Sequence, residues 1–255
     1  MISPILTIAK YTLLEAMRNR LMWLQAGVLV IGIGLSGFLA EVAITESRQI
    51  QLALLGAFLR YSAVFLLATF VVTSIVREAN DKGLEGVLAL PLPRASYALG
   101  KLAGYCALSL VPALSASAVV STMVPWDQAL LWTLTLIGEL WLVAGFSLLC
   151  VFTFNQVMAS LSAVFAFYLL ARSVTALQLI GHGPYTRETP SQQVLNALLS
   201  GLSKVLPRLD DFARTDWLVY GNGDLSSLPM VALQTGLYLT LLSAATLFDL
   251  YRKNL

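Results

Sequence analysis

The chain contains six apolar stretches of about 20 residues or more, and each is nearly free of charged side chains. At 1.5 Å per residue, a helix of about 20 residues crosses the roughly 30 Å of hydrocarbon in a bilayer. Backbone amides in lipid must bond within their own segment, and the two-residue alternation of a membrane β-barrel is missing. The sequence therefore predicts an all-α, polytopic membrane protein. The six transmembrane helices are predicted at about 21–40, 54–76, 98–122, 129–152, 157–179 and 230–250.

The charged residues are few and lie mainly beside the apolar stretches. They make up 12% of the chain, against about 25% in soluble domains, and the net charge is +2. Such a balance, without a basic patch, gives no reason to expect a nucleic-acid partner. Lys and Arg are concentrated before the first stretch, between the second and third, and after the sixth. Because basic flanks resist translocation, both termini and the 77–97 connection are predicted on the cytoplasmic side of a bacterial inner membrane.

Two segments outside the predicted spans have the pattern of amphipathic helices. Residues 1–20 place apolar side chains on one helical face, which predicts a helix lying at the membrane interface. The 180–229 connection, on the predicted outer side, contains a second such pattern that ends at Pro207. A connection of about 50 residues is long for a structureless loop. This favours a gate, or a docking surface for an extracytoplasmic protein.

Three charged residues fall well inside the predicted spans, away from the span ends, namely Arg60, Glu139 and Arg172. All three are predicted in the outer half of the membrane, at depths of roughly 9–15 Å. A lone charge at the centre of a helix costs about 2.5–3.5 kcal/mol, so Glu139 is expected to have a basic partner or to face water. Two interpretations remain open: an ion pair between helices that fixes their packing, or a set of groups that lines a substrate path.

Several short motifs match the residue pattern of known sites but lack the structural context that those sites require. The sequence GIGLSG, from Gly32 to Gly37, matches a dinucleotide fingerprint but lies within an apolar stretch, without a preceding strand. The pair Gly100-Lys101 lacks the first glycine and the Ser/Thr of a P-loop. Metalloprotease and nucleophile-elbow motifs are missing, and His182 has no neighbouring ligand at metal-site spacing. We therefore predict no enzymatic activity, no cofactor and no metal site in this chain.

The longest charged stretch that interrupts the apolar sequence runs from Arg77 to Gly104 and reads REANDKGLEGVLALPLPRASYALGKLAG. Asn80 or Asp81 is suited to begin a short helix there, and Pro91 to end it. Two interpretations fit this helix: a connector that rests on lipid headgroups, or a knob that inserts into the groove of a soluble partner. The knob would use the apolar edge Leu84, Val87 and Leu88 for affinity and the charges of Arg77, Glu78, Asp81 and Glu85 for register.

This stretch resembles the segment after the second span in permeases of the type-2 exporter family of ABC transporters. In that family the segment combines an acidic stretch, Gly-Thr-Leu-Glu, Leu-rich residues, Pro-x-x-Arg and Gly-Lys. The matching residues here are Glu78, Leu84-Glu85, Leu88, Leu90, Pro91, Arg94 and Gly100-Lys101. Lys82-Gly83 stands where Gly-Thr is usual, so no role of that threonine hydroxyl carries over. The opening IAKYTLLEAMRNRLMW is similar to the family's N-terminal connecting helix, and the six-span order matches over nearly the whole chain.

The resemblance implies a permease in the lipid bilayer that pairs with a second copy or a related permease. Two cytoplasmic ATPase subunits would bind ATP and Mg²⁺, and their closure would tilt the permeases and open a path to the outside. Residues 77–97 would be the coupling segment in the ATPase cleft, with coupling residues Arg77, Glu78, Asp81, Gly83, Leu84, Glu85, Val87, Leu88 and Arg94. The substrate is left open. The alternatives are an ATPase-independent secondary transporter or channel, and a membrane scaffold that transmits motion without moving a solute.

Overall fold

The computed structural model describes residues 2–42, 47–81, 93–181 and 190–252, and within these ranges it contains helices, turns and loops without a strand. The α-helices of the described residues are α1 (Ile2–Arg18), α2 (Leu21–Val42), α3 (Ser47–Asn80), α4 (Arg94–Leu108), α5 (Leu110–Val120), α6 (Trp126–Phe154), α7 (Val157–Gly181), α8 (Pro190–Val205), α9 (Thr215–Tyr220) and α10 (Leu228–Arg252). Short 3-10 turns lie at Leu209–Asp211 and Leu225–Ser227.

Six helical segments in the described part of the chain are long and apolar enough to cross a membrane. They are α2, α3, α4 together with α5, α6, α7, and α10 with the turn before it. The predicted all-α, polytopic fold is confirmed, and the chain is an integral membrane protein.

The central helices of the bundle are α3 and α6, whose side chains are mostly buried, whereas α2, α7 and α10 lie at the periphery. On α6, Trp132, Leu136 and Leu140 are fully buried. Asn155 ends this helix in the left-handed conformation, with φ of 55°, and its N–H donates to the Val151 carbonyl. Asparagine tolerates this conformation better than most residues, so the chain can reverse sharply into α7.

The third membrane segment is broken at Ser109, between α4 and α5. Pro112 has no N–H to donate to the Leu108 carbonyl, so the regular bond ladder fails there. One turn earlier, the Ser109 hydroxyl and the Trp141 indole N–H both donate to Cys106 O, at 2.7 and 3.2 Å. Helix α6 thus contacts the backbone beside the break through Trp141.

The longest helix is α3, which covers 34 residues, or about 51 Å at 1.5 Å per residue. It begins before and ends after the apolar stretch at 54–76, because the polar residues on both sides continue the helix. Asn80, expected at the start of a new helix, is instead the last residue of α3, and Asp81 follows in a turn. One rigid element thus runs through the whole bundle.

Candidate functional site

Helix α1 packs closely against α4 through two glycines spaced four residues apart. A Cβ atom on Gly100 would lie 2.8 Å from Ile8 Cβ, and one on Gly104 would lie 2.7 Å from Thr12 Cβ. Both distances are too short for any larger residue, so the glycines allow the two backbones to approach. Helix α1 is therefore fixed to the bundle along one face, while Leu6 on another face is exposed.

Lys101 connects three helices at this end of the bundle. Its side chain is buried, and its ammonium lies 2.6 Å from Glu78 Oε2 on α3 and 3.8 Å from Glu15 Oε2 on α1. Ser74 of α3 also donates a hydrogen bond to Glu15 Oε1, at 2.7 Å. We call Glu15, Ser74, Glu78 and Lys101 the junction cluster. It holds α1, α3 and α4 together by charge as well as by packing.

The expected coupling residues fall partly within the described chain. Arg77 and Glu78 lie in the last turn of α3, and Asp81 lies in the turn after it. Arg94 opens α4, and its guanidinium donates to the Leu250 carbonyl near the end of α10, at 3.4 Å. The remaining five, Gly83, Leu84, Glu85, Val87 and Leu88, lie outside the described residues. Of the nine, the structure places Glu78 in a defined ion pair.

Two adjacent open cavities lie at the junction cluster. The first, of about 460 Å³, is lined by Glu15, Glu78, Lys101 and other residues of α1, α3 and α4. The second, of about 700 Å³, lies between the ends of α1 and α3. The side chains of Glu15 and Glu78 are 39% and 22% exposed, so solvent reaches this cluster.

Near the opposite end of the bundle, residues 206–214 enter between the helices instead of passing over them. Leu209, Phe212 and Ala213 in this segment are completely buried. Arg172, which binds the segment, lies about 10 Å from the end of the apolar stretch 157–179, and Arg60 lies about 9 Å from the start of the apolar stretch 54–76. Non-helical backbone at such depth must be satisfied by protein groups.

Side chains from three membrane helices supply those groups. Arg172 of α7 donates to the carbonyls of Leu209 and Phe212, at 2.7 and 3.2 Å. The Ala213 carbonyl accepts from Arg60 of α3 at 2.9 Å and from Trp132 of α6 at 3.2 Å. Ala213 itself has φ of 42°, a conformation that costs energy for a residue with a Cβ. These hydrogen bonds hold it there.

Glu139 of α6 is fully buried beside this segment and balances one of the arginines. Its Oε1 accepts from Arg172 at 3.1 Å and from the Tyr168 hydroxyl at 2.8 Å. We call Arg60, Trp132, Glu139, Tyr168 and Arg172 the loop cluster. The three intramembrane charges, which were predicted at similar depths, lie near one another, but among the described residues Arg60 bonds to a carbonyl and makes no ion pair within 4.0 Å.

At the rim of the entering segment, two adjacent carboxylates, Asp210 and Asp211, are partly exposed. Burial raises the pKa of the Asp211 carboxyl above its usual value, and the neighbouring charge of Asp210 adds to the rise. Arg214 opposes it from 4.0 Å. The entering segment therefore carries charge at its rim and apolar side chains at its buried tip.

An aromatic groove of about 470 Å³ lies beside the loop cluster, between α2, α3 and α7. Phe65 and Phe165 stack there with their ring centroids 5.4 Å apart. Tyr61 meets the Tyr168 ring edge to face at 6.0 Å. Tyr168 thus links the groove to Glu139, although it is itself buried.

These features define a polytopic helical membrane protein with a charged cluster near each end of its bundle. No family model matches the chain, and no curated protein matches it either. The function must therefore be inferred from the residues and their geometry.

Proposed function

We propose that the chain is the membrane-spanning permease subunit of an ATP-driven ABC transporter of the type-2 exporter family. The resemblance of residues 1–20 and 77–104 to such permeases motivates the proposal. The observation that supports it best is the position of Lys101, which joins the carboxylates of α1 and α3 where the expected coupling segment leaves α3 and returns as α4. A force on that segment would act on all three helices together.

Helix α3 gives such a force a route across the bundle. Glu78 belongs to the junction cluster and Arg60 to the loop cluster, and the two residues are about 27 Å apart on the same helix. A tilt of α3 at one end would shift Arg60 against the Ala213 carbonyl near the other. ATP-driven closure of the partner subunits would bias such a two-state, rigid-body change. ATP and Mg²⁺ would bind in the ATPase subunits, and export would need a second permease copy or a related one.

The proposal is tested by purifying the tagged chain from host membranes in mild detergent and measuring co-purified P-loop ATPase and its ATP hydrolysis. We expect the double change Leu84→Ser and Leu88→Ser to release the ATPase, since each buried Leu contributes about 1.5–3 kcal/mol. Glu85→Ala should leave the ATPase bound but lower ATP hydrolysis, because rim charges orient more than they bind.

The matched control is Val194→Ser with Leu198→Ser, two exposed apolar residues on α8 near the opposite end of the bundle. This control should keep the ATPase. Retention of a full complement of ATPase by the Leu84 and Leu88 variant would show that the segment is a membrane-surface connector. Absence of any P-loop ATPase from the parent preparation would favour the ATPase-independent transporter or channel.

A further inference from the structure

Two arginines from different helices face one cavity at the membrane boundary. Arg18 lies in the last turn of α1 and Arg77 in the last turn of α3, and both line the cavity of about 700 Å³ between these helix ends. Arg18 is followed closely by the apolar span of α2, and Arg77 directly follows the apolar part of α3. Both guanidinium groups therefore lie at the level of lipid headgroups.

The charges of these arginines are not neutralised within the described chain. Neither one makes an ion pair within 4.0 Å of a described carboxylate, and both side chains are exposed. Glu15 also lines the cavity, but its two oxygens are engaged by Lys101 and Ser74. The cavity lining therefore carries two cations, Arg18 and Arg77, against one carboxylate, Glu15.

The wall of the cavity beside Arg18 is suited to a lipid. Tyr11 and Leu14 lie two turns and one turn before Arg18 on the same face of α1, and they are 67% and 42% exposed. A helix that presents basic and apolar side chains on one face at a membrane boundary binds anionic lipid through both. Asn19 completes the polar lining.

We propose that Arg18 and Arg77 bind the phosphate of an anionic phospholipid headgroup, with Tyr11 and Leu14 in contact with the glycerol and acyl region. A guanidinium presents two parallel N–H donors to phosphate oxygens, and two such forks on one phosphate bridge α1 to α3. The bound lipid then reinforces the connection that the junction cluster makes on the adjacent side of α1. This inference does not depend on the ATPase proposal, because lipid binding needs neither ATP nor a partner subunit.

The test uses the purified full chain in detergent with phosphatidylglycerol, phosphatidylcholine or inorganic phosphate as the probe. Native mass spectrometry measures bound lipid, and thermal unfolding measures the stabilisation it produces. Phosphatidylglycerol should bind at least about tenfold more tightly than phosphatidylcholine, since each nearby arginine adds a favourable contact with the anionic lipid. Arg18→Gln with Arg77→Gln should remove this preference. Both side chains are exposed, so the variant is expected to fold.

The control is Arg252→Gln, an exposed arginine at the end of α10 that lines neither cavity. It should keep the preference for phosphatidylglycerol. Equal binding of the two lipids by the parent chain would overturn the proposal, as would an unchanged preference in the Arg18 and Arg77 variant. Equal stabilisation by inorganic phosphate at the same concentration would also overturn it and assign the cavity to a free anion.

Discussion

The loop cluster and the junction cluster both contain a buried cation bonded to a carboxylate, but they differ in charge balance and in access to water. The loop cluster holds two arginines and one carboxylate: Glu139 pairs with Arg172, while Arg60 and Arg172 both donate to backbone carbonyls. In the junction cluster one lysine serves two carboxylates, which remain partly exposed beside open cavities. The loop cluster is sealed by protein, whereas the junction cluster can exchange protein partners for water.

This difference separates what each cluster can do. When one partner of a sealed ion pair is removed, the charge of the other partner stays buried and uncompensated, because no water replaces the lost group. A solvated pair loses much less, because hydration restores part of the energy. The loop cluster therefore fixes a structure, and the junction cluster is able to rearrange at low cost. If the permease proposal holds, this is the property expected of the end that receives a mechanical input.

The largest effect is expected from Arg172→Met. The change leaves Glu139 buried without its ion pair and frees the carbonyls of Leu209 and Phe212, so we expect a loss of about 3–5 kcal/mol. At roughly 2–4 °C per kcal/mol for a chain of this size, the melting temperature in detergent should fall by about 6–20 °C. Thermal unfolding followed by circular dichroism measures the shift.

A change at Glu139, the partner of Arg172, separates the energy of the ion pair from that of the hydrogen bonds to the carbonyls. Glu139→Gln alone should also destabilise the protein, whereas adding it to Arg172→Met should recover part of the loss, because no buried charge is then unpaired. Arg208→Met is the control, since Arg208 is an exposed arginine of the same entering segment. If Glu139→Gln melts with the parent chain, Glu139 is not held by its pair and belongs to a hydrated path.

The spanning helices could be predicted from the sequence because each long apolar stretch has only one stable form in lipid. The ends of α3 could not, since polar residues such as Ser47 and Asn80 continue a helix without adding hydrophobicity. Counting residues along the spans placed Glu139, Arg172 and Arg60 at similar depths. This count could not show that Arg60 binds the carbonyl of Ala213. Residues 206–214 have the polar, turn-forming composition of an outer loop, so they were not expected inside the bundle. Leu209 and Phe212 were the available signal that this segment enters the bundle.

The junction cluster was missed because Lys101 was counted as a basic flank that sets orientation. The signal for its position was the spacing of Gly100 and Gly104, four residues apart on the helix that also carries Lys101. Such spacing predicts a close helix contact but does not name the partner helix. The pairing of α1 with α4 depends on the three-dimensional path of the chain.

An intermediate effect is expected from Gly104→Val, which tests the packing that brings Glu15 to Lys101. The new Cβ would lie 2.7 Å from Thr12 Cβ and 3.1 Å from the Ala9 carbonyl, so α1 must move. Overpacking of this kind costs about 1–3 kcal/mol. Gly236→Val on α10 is the control, because nothing lies within 4 Å of its added Cβ. Equal melting temperatures of the two variants would mean that α1 is not held by this contact.

The smallest effect on stability is expected from Lys101→Met, which makes in the junction cluster the same kind of change as Arg172→Met in the loop cluster. The carboxylates of Glu15 and Glu78 lose their cation, but their exposed surfaces let water hydrate them, and Ser74 still donates to Glu15. We expect a loss of about 1 kcal/mol, or roughly 2–4 °C in melting temperature. The control Lys204→Met, at an exposed lysine on α8, should change the melting temperature by less.

If the permease proposal holds, Lys101→Met should lower ATP hydrolysis by the co-purified ATPase far more than it lowers stability, whereas Arg172→Met should lower both. A fall in melting temperature after Lys101→Met as large as that after Arg172→Met would show that the junction cluster is sealed like the loop cluster, and it would remove the physical basis for an adjustable end.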